Sequence, residues 1–375
     1  MARVRKSPIK TVDLIVLGAG LAGAAMAWQS HWRGWSVAII DRLDAQSSSR
    51  VAAGLVTPIT GSRAAASWKW DEFYPIADTF YQRTENETGG SFWRVEPALR
   101  VFGSQVEREL YESKWLSARD HGSPSSIRAE WVSKEESNGL NALFGMSQMT
   151  PAARLDTTAY LSATQSYFQT RDAFYNFDLN CDVDLMFNNT EHTLCISSLQ
   201  LIGKRMVFCQ GIAARENRFF NDLPLHPARG DMLLIESPRV QFERVVHHDA
   251  WAVPVGQQRY LVGATYDRAT LQESNEVSQA KTMQFREELM QRWESLAHGT
   301  FRAGDHVVME QRSAIRPASY DRHPLMGQHN VHGNVFCLNG LGSKGTLMAP
   351  RLAELAIAAM NGASIDRVFS RSRRK

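Results

Sequence analysis

The stretch VDLIVLGAGLAGAAMAWQSHWRGWSVAIID, Val12–Asp41, decides the fold. An apolar strand breaks at Gly18, Gly20 and Gly23, a helical segment follows, and a second strand, VAIID, closes on Asp41. That order of strand, glycines, helix, strand and acid is a dinucleotide-binding βαβ unit. Gly18 serves the tight turn, Gly20 lets a pyrophosphate approach bare backbone, and Gly23 lets helix pack on strand. The backbone N–H groups of Gly20, Leu21 and Ala22 open the helix and point its positive end at the phosphates. Asp41 is positioned to accept from ribose hydroxyls, and Ala19 and Arg42 complete the expected lining.

A chain of 375 residues predicts about two domains. A net charge of +3 offers no broad electrostatic footprint for nucleic acid or membrane, so neither is expected as a partner. The basic tail Arg371, Arg373, Arg374 and Lys375 reads as a solvated, frayed end. Cys181, Cys195, Cys209 and Cys337 form no CxxC pair, which argues against a metal site or disulfide framework and fits a cytoplasmic location. The apolar stretch after MARVRKSPIK runs into Trp28, Gln29, Ser30 and His31 without a small-residue cleavage site, so it reads as strand and helix rather than signal peptide. Elsewhere no run of about eighteen apolar residues predicts a membrane span.

After Asp41 the small polar segment RLDAQSSSRVAAGLVTP suits a loop and helix start close against a ligand. Aromatic residues crowd Trp68 to Trp93, and the βαβ rhythm is lost. The spacing predicts a helix from Asp156 to about Thr170, an alternating strand from Phe174 to Met186, and a strand from Leu199 that ends at Gly211 beside the cofactor. AWAVPV and RYLVGAT predict strands on either side of Gly256, followed by a helix around Val277 to His298. Val335 to Met360 reads as strand, glycine turn and helix. The fold class is therefore α/β, with a Rossmann-like nucleotide domain interleaved with a mainly antiparallel-sheet substrate domain. The expected boundaries are 1–78, 152–220 and 312–375 for the first, and 79–151 and 221–311 for the second.

Three further segments narrow the reading: SSSRVAAG (Ser47–Gly54), RPASYDRHPLMG (Arg316–Gly327) and NGLGSKGTLMAP (Asn339–Pro350). With the N-terminal motif they resemble the FAD-dependent amine oxidase family that includes D-amino-acid oxidase, glycine oxidase, sarcosine oxidase and the oxidase half of the bifunctional tRNA methylaminomethyl-uridine enzyme. GDMLLIE, AWAVP and LVGAT fall in that family's order too. The resemblance implies FAD, with Gly342, Ser343, Lys344, Gly345, Thr346 and Leu347 lining the isoalloxazine. Glycines there let backbone run against a flat ring, while the helix start, joined by Lys344, would stabilise negative charge at the pyrimidine edge of the reduced flavin.

By the same resemblance, Ser48, Ser49, Ala53, Gly54 and Leu55 cover the flavin and ribityl chain, Val183 meets adenine from a strand, and Gly211 borders the cofactor. Arg316, immediately before Pro317, would grip a substrate carboxylate with two parallel hydrogen bonds. Trp251 stands where relatives use a tyrosine that helps bind the carboxylate; lacking that hydroxyl, it turns the expectation from glycine toward a larger or more apolar substrate. His247 and His248 read as exposed loop residues without a catalytic role, since the neutral amine needs no dedicated base. Neither SSSRVAAG nor RPASYD holds a cysteine or histidine, so the FAD is expected to be noncovalent. The expected reaction dehydrogenates the C–N bond of an amino acid or N-substituted amino acid by hydride transfer to flavin N5, with oxygen or another acceptor taking the electrons. The alternatives are an oxidase acting on carboxymethylaminomethyl-modified tRNA and a non-catalytic flavin-binding protein. An NAD-dependent dehydrogenase fits the fingerprint alone and not the C-terminal glycine segment.

Overall fold

In the computed structural model, residues 9–116, 124–188, 190–238, 240–268, 279–297 and 305–372 are described. The strand Lys10–Leu17 is buried along its second half, as a strand covered on both faces must be. It pairs in parallel with Val37–Asp41 on one side and Leu201–Phe208 on the other. Phe174–Asn176 and Val335–Asn339 extend the parallel run at its two ends. Antiparallel strands Thr193–Ile196, Leu185–Asn188 and Leu325–Gln328 complete eight. Helix Leu21–His31 has no polar stripe, ten of its eleven residues being buried. It lies between this sheet and the C-terminal helix Gly345–Met360.

A second sheet of eight strands runs in the order Val307–Arg316, Ala228–Glu236, Arg259–Gly263, Trp251–Pro254, Val246–His247, Ala98–Val101, Met146–Thr150, Arg128–Val132. Every neighbouring pair is antiparallel except Val246–His247 with Ala98–Val101. Helix Gln279–Leu296 packs its buried Phe285, Leu289 and Trp293 toward the outer face. The chain is thus an α/β fold with a Rossmann-like sheet and a mainly antiparallel one. Two expected boundaries fall inside elements: helix Trp70–Thr88 crosses 78/79, and strand Val307–Arg316 crosses 311/312.

Two local expectations are corrected. The alternating stretch from Phe174 does not continue as one strand to Met186. It stops at Asn176 and turns at Cys181–Asp184, where Asn180 Oδ1 accepts from Asp182 N at 3.0 Å and Asp184 Oδ2 from Asn180 N at 2.9 Å. Arg371 is not part of a frayed tail: it is buried, donates from its backbone N–H to Met326 O at 2.8 Å, and stands over the Phe220 ring. Residues 373–375 lie outside the described chain. No described helix is long and apolar enough to cross a membrane.

Candidate active site

The glycine loop is locked from both sides. Gly18 adopts φ +97°, and a Cβ on Gly23 would lie 1.7 Å from Gly18 O, so helix and turn touch backbone to backbone. Asp41 holds the loop to the second strand: Oδ2 accepts from Ala19 N at 2.5 Å and Oδ1 from Leu43 N at 2.6 Å. The Ser49 hydroxyl accepts from Leu21 N at 3.0 Å, and a Cβ on Gly20 would meet that oxygen at 2.7 Å.

Two clefts abut here. One, of about 1420 Å³, is bordered by Gly18, Ala19, Asp41, Arg42, Gln210 and Gly211. The other, of about 1000 Å³, is bordered by Ala53, Gly54, Leu55, Trp251, Arg316 and the segment Gly342, Ser343, Gly345, Thr346. They share Gly20, Ser48, Ser49, Cys209, Gly211 and Ala314, and so form one trough. The two distant glycine segments meet directly, a Cβ on Gly345 falling 3.2 Å from Leu21 Cδ1. Asn339 ties the trough's floor together, its Nδ2 donating to Gly211 O at 2.8 Å and its Oδ1 accepting from Gly340 N at 2.8 Å.

At the far end, Arg316 closes the strand Val307–Arg316 and its side chain lies across Gly230, where a Cβ would stand 2.1 Å from Nη2. Among the described residues its Nη1 reaches only backbone carbonyls, Thr265 O at 3.3 Å and Arg229 O at 3.5 Å, and the Tyr266 ring lies 5.9 Å from the guanidinium carbon. Burial lowers its pKa, with Tyr266 and Asp231 pulling the other way; an arginine so placed stays charged. Asp231 is engaged elsewhere, in a two-point pair with Arg229 at 2.8 Å for both contacts. Trp251 lies against Gly263, whose Cβ would stand 2.5 Å from the indole Cζ2. Arg316 is the sole charged side chain among the described residues lining this cleft.

Several expected residues are placed otherwise. Val183 sits exposed on the Cys181–Asp184 turn and borders neither cleft. Leu347 is buried in the helix and borders neither cleft, whereas Gly23 packs the helix against turn and strand as its spacing implies, also away from either cleft. Lys344 turns away, donating from Nζ to Ser67 Oγ at 3.2 Å, and burial pushes its pKa down to about 8. His247 and His248 are not exposed loop residues. His247 is buried on a strand with Nε2 unpartnered, its pKa pushed down to about 3 by burial, then by the charges of Arg100 and Lys344. His248 Nδ1 lies 3.1 Å from Val101 O. Asn339, Gly230 and Tyr266 were not expected at the site; Asn339 stood at the strand end before the glycines, Gly230 arrives only through sheet register, and Tyr266 through the loop after Arg259–Gly263, held where Asp267 bridges to Arg229.

The donor set fits an extended dinucleotide carrying a flat ring. A carboxylate and bare loop lie at one end, serine hydroxyls in the middle, and a helix start without a side-chain cap beside apolar surface at the other.

A family model described as "FAD dependent oxidoreductase" matches residues 13–359. The chain is 23% identical over 366 residues to the tRNA 5-methylaminomethyl-2-thiouridine biosynthesis bifunctional protein of Idiomarina loihiensis, covering 93% of this chain and 56% of that protein. To the putative thiamine biosynthesis oxidoreductase of Rhizobium etli it is 26% identical over 368 residues, covering 91% and 94%. The chain therefore spans about half the length of the first relative and nearly all of the second. Among solved structures, glycine oxidase from Bacillus cereus superposes with a TM-score of 0.76 at 17% identity, over 96% of this chain and 97% of that one. Iminodiacetate oxidase from Chelativorans superposes with a TM-score of 0.72 at 19% identity, over 95% and 99%.

Proposed function

Because the chain belongs to the FAD dependent oxidoreductase family, with FAD as its cofactor, we propose that it oxidises the C–N bond of an amino acid or N-substituted amino acid. The observation that carries this reading is the half-buried guanidinium of Arg316, which has two carbonyls and no carboxylate for hydrogen-bond partners among the described residues. A carboxylate entering the cleft supplies the missing acceptors with two parallel N–H···O bonds and fixes the substrate's orientation. Trp251 and Met232 give the cleft apolar walls, which suits a side chain larger than glycine's. Ser48 and Ser49, with the backbone N–H groups of Gly20 and Ala22, hold the pyrophosphate and ribityl portion; Gly345 and Thr346 face the ring.

When bound, FAD supplies the two-electron oxidant, and the imine product hydrolyses in water. The described lining of the cleft contains no histidine, lysine or carboxylate, so the substrate enters as the neutral amine without an enzymic base. In this reading the Rossmann-like sheet carries cofactor and the antiparallel sheet carries substrate. The FAD is held without a covalent bond, because the one cysteine of the described lining, Cys209, is buried with its thiol pKa raised by burial.

A second reading, oxidation of a carboxymethylaminomethyl group on tRNA, is favoured by the similarity over 366 residues to the bifunctional tRNA protein. The test is anaerobic mixing of the yellow protein with D-, L- and N-substituted amino acids, and with tRNA bearing that group. Bleaching by a free amino acid supports the first reading, bleaching by tRNA alone the second, and bleaching by neither defeats both. Return of colour on admitting air identifies oxygen as acceptor, and acid denaturation that leaves FAD on the chain would contradict noncovalent binding.

A further inference from the structure

The face of the antiparallel sheet that carries Arg316 continues into a second cleft. Along the edge strand, Arg316, Ala314 and Arg312 share that face, because side chains alternate; Arg312 thus lies roughly 13 Å beyond Arg316 at about 3.3 Å per residue. Between Arg316 and Arg312 lie only Ala314 and its partner Gly230; Met232 stands opposite Arg312, and Leu234, opposite Leu261, follows one step beyond it as apolar floor. Beyond lies a cleft of about 1490 Å³ into which five arginines face: Arg50, Arg94, Arg154, Arg259 and Arg312.

Two features there are unfavourable without a ligand. Arg94 and Arg154 are direct cross-strand partners in the antiparallel pair Trp93–Val95 with Ala153–Leu155, and like charges so placed repel. Arg154 donates from Nη1 to Pro254 O at 3.0 Å, but its buried Nε has no partner among the described residues. Burial depresses its pKa against the pull of Asp156 and Glu96, and Arg94 adds to the depression. The nearby carboxylates are committed: Glu236 to Arg259 at 3.1 Å, Glu310 to Arg312 at 2.7 Å, Glu96 to Arg94 at 4.0 Å, and Asp156 to the helix N-H of Ala159 at 3.0 Å. Each guanidinium has five N–H donors, so most donors remain for an anion with several acceptor oxygens.

We propose that this cleft binds a phosphate group of the substrate between Arg94 and Arg154, while the substrate's amine end reaches Arg316 over Met232, Leu234 and Leu261. A phosphate monoester brings more charge and more acceptor oxygens than a second carboxylate to the guanidiniums of these two paired positions, and a phosphodiester still offers one charge and two free oxygens to the donors they leave unused. The link to an amine end rests on the amine-oxidation reading; phosphate binding itself does not.

The experiment uses FAD-loaded protein, so that the dinucleotide trough is filled. Binding of a fluorescent RNA 12-mer, of AMP and of inorganic phosphate is measured at low and high salt for the parent, Arg94→Gln and Arg154→Gln. Salt-sensitive binding that weakens at least about tenfold in both variants is expected. Binding of RNA alone assigns a phosphodiester, and binding of AMP or phosphate as well assigns a free phosphate group; both support the proposal. Should Arg154→Gln fail to fold, the exposed Arg94 decides alone. Binding of none of the three probes, or binding that the variants leave unchanged, overturns it. Failure of the amine reading shows separately, as parent protein that no amine bleaches.

Discussion

The guanidinium of Arg316 rests on the Cα of Gly230, one strand away, so closely that any side chain at Gly230 would occupy its place. Gly230→Ala therefore displaces the tip of a flexible side chain rather than backbone, and the fold survives while the anion grip does not. We expect a melting temperature within a few degrees of the parent, unchanged FAD content, and a loss of flavin bleaching rate resembling that of Arg316→Ala. Wild-type bleaching by Gly230→Ala would show that Arg316 does not hold substrate.

Arg316→Ala should cut the rate of flavin reduction at low substrate roughly 100-fold, about 2.7 kcal/mol, as expected for removing one partner of a buried charge-assisted pair. Arg316→Lys should recover only part of this, since a point charge cannot make the two parallel bonds. Stopped-flow reduction rates against substrate concentration separate the two variants.

With no histidine, lysine or carboxylate in the described lining of the cleft, and its one thiol, Cys209, held protonated by burial, the pH dependence of flavin reduction should follow the substrate. The rate at low substrate should rise through the amine pKa and move with it when a substrate of lower amine pKa is used. A rising limb at one fixed pH for all substrates would reveal an enzyme group.

Stability should fall in mild acid because of His247. Its folded pKa, about 3, lies below the ordinary value of 6.5, so between those values the unfolded chain binds the extra proton. Unfolding free energy then drops by up to about 1.4 kcal/mol per pH unit as pH falls from 6.5 toward 3. Urea unfolding of the parent and of His247→Gln across that window should show a shallower decline in the variant.

Gly23→Ala should be far harsher than Gly230→Ala. The added carbon meets a carbonyl of the turn, at 1.7 Å, instead of a movable side chain. Loss of about 3 kcal/mol or more is expected from such overpacking, seen as a colourless or insoluble product. A yellow protein with parental melting temperature would show that helix and turn can separate.

The nucleotide half was legible because its signals are local: glycine spacing and the acid closing VAIID lie within thirty residues, and the strand, tight turn, helix and second strand they imply all form. Asn339 and Arg316 sat inside motifs that could be quoted. Gly230 was not legible, since only the register of Ala228–Glu236 against Val307–Arg316 brings that glycine under that arginine; nor was Tyr266, which reaches Arg316 from a loop. His247 was misjudged for the same reason: its strand is buried by pairing with Ala98–Val101, a contact spanning nearly 150 residues. Val183 was misread where alternation was followed past Asn180, although the Asn and Asp side chains there bind their own backbone and turn the chain. Lys344 shows a further limit, because spacing locates a side chain's Cα but not that its amine turns toward Ser67.

Pro317 follows Arg316 directly, and its carbonyl accepts from Gly342 N at 3.3 Å, while Ala318 bridges to Leu341. The proposed anchor for the reactant and the proposed wall behind the coenzyme are thus two sides of one corner, so a change to one shifts the other. Any re-engineering of this protein toward bulkier or smaller substrates would start elsewhere in the cleft lining, at Trp251 and Met232, and leave the corner untouched.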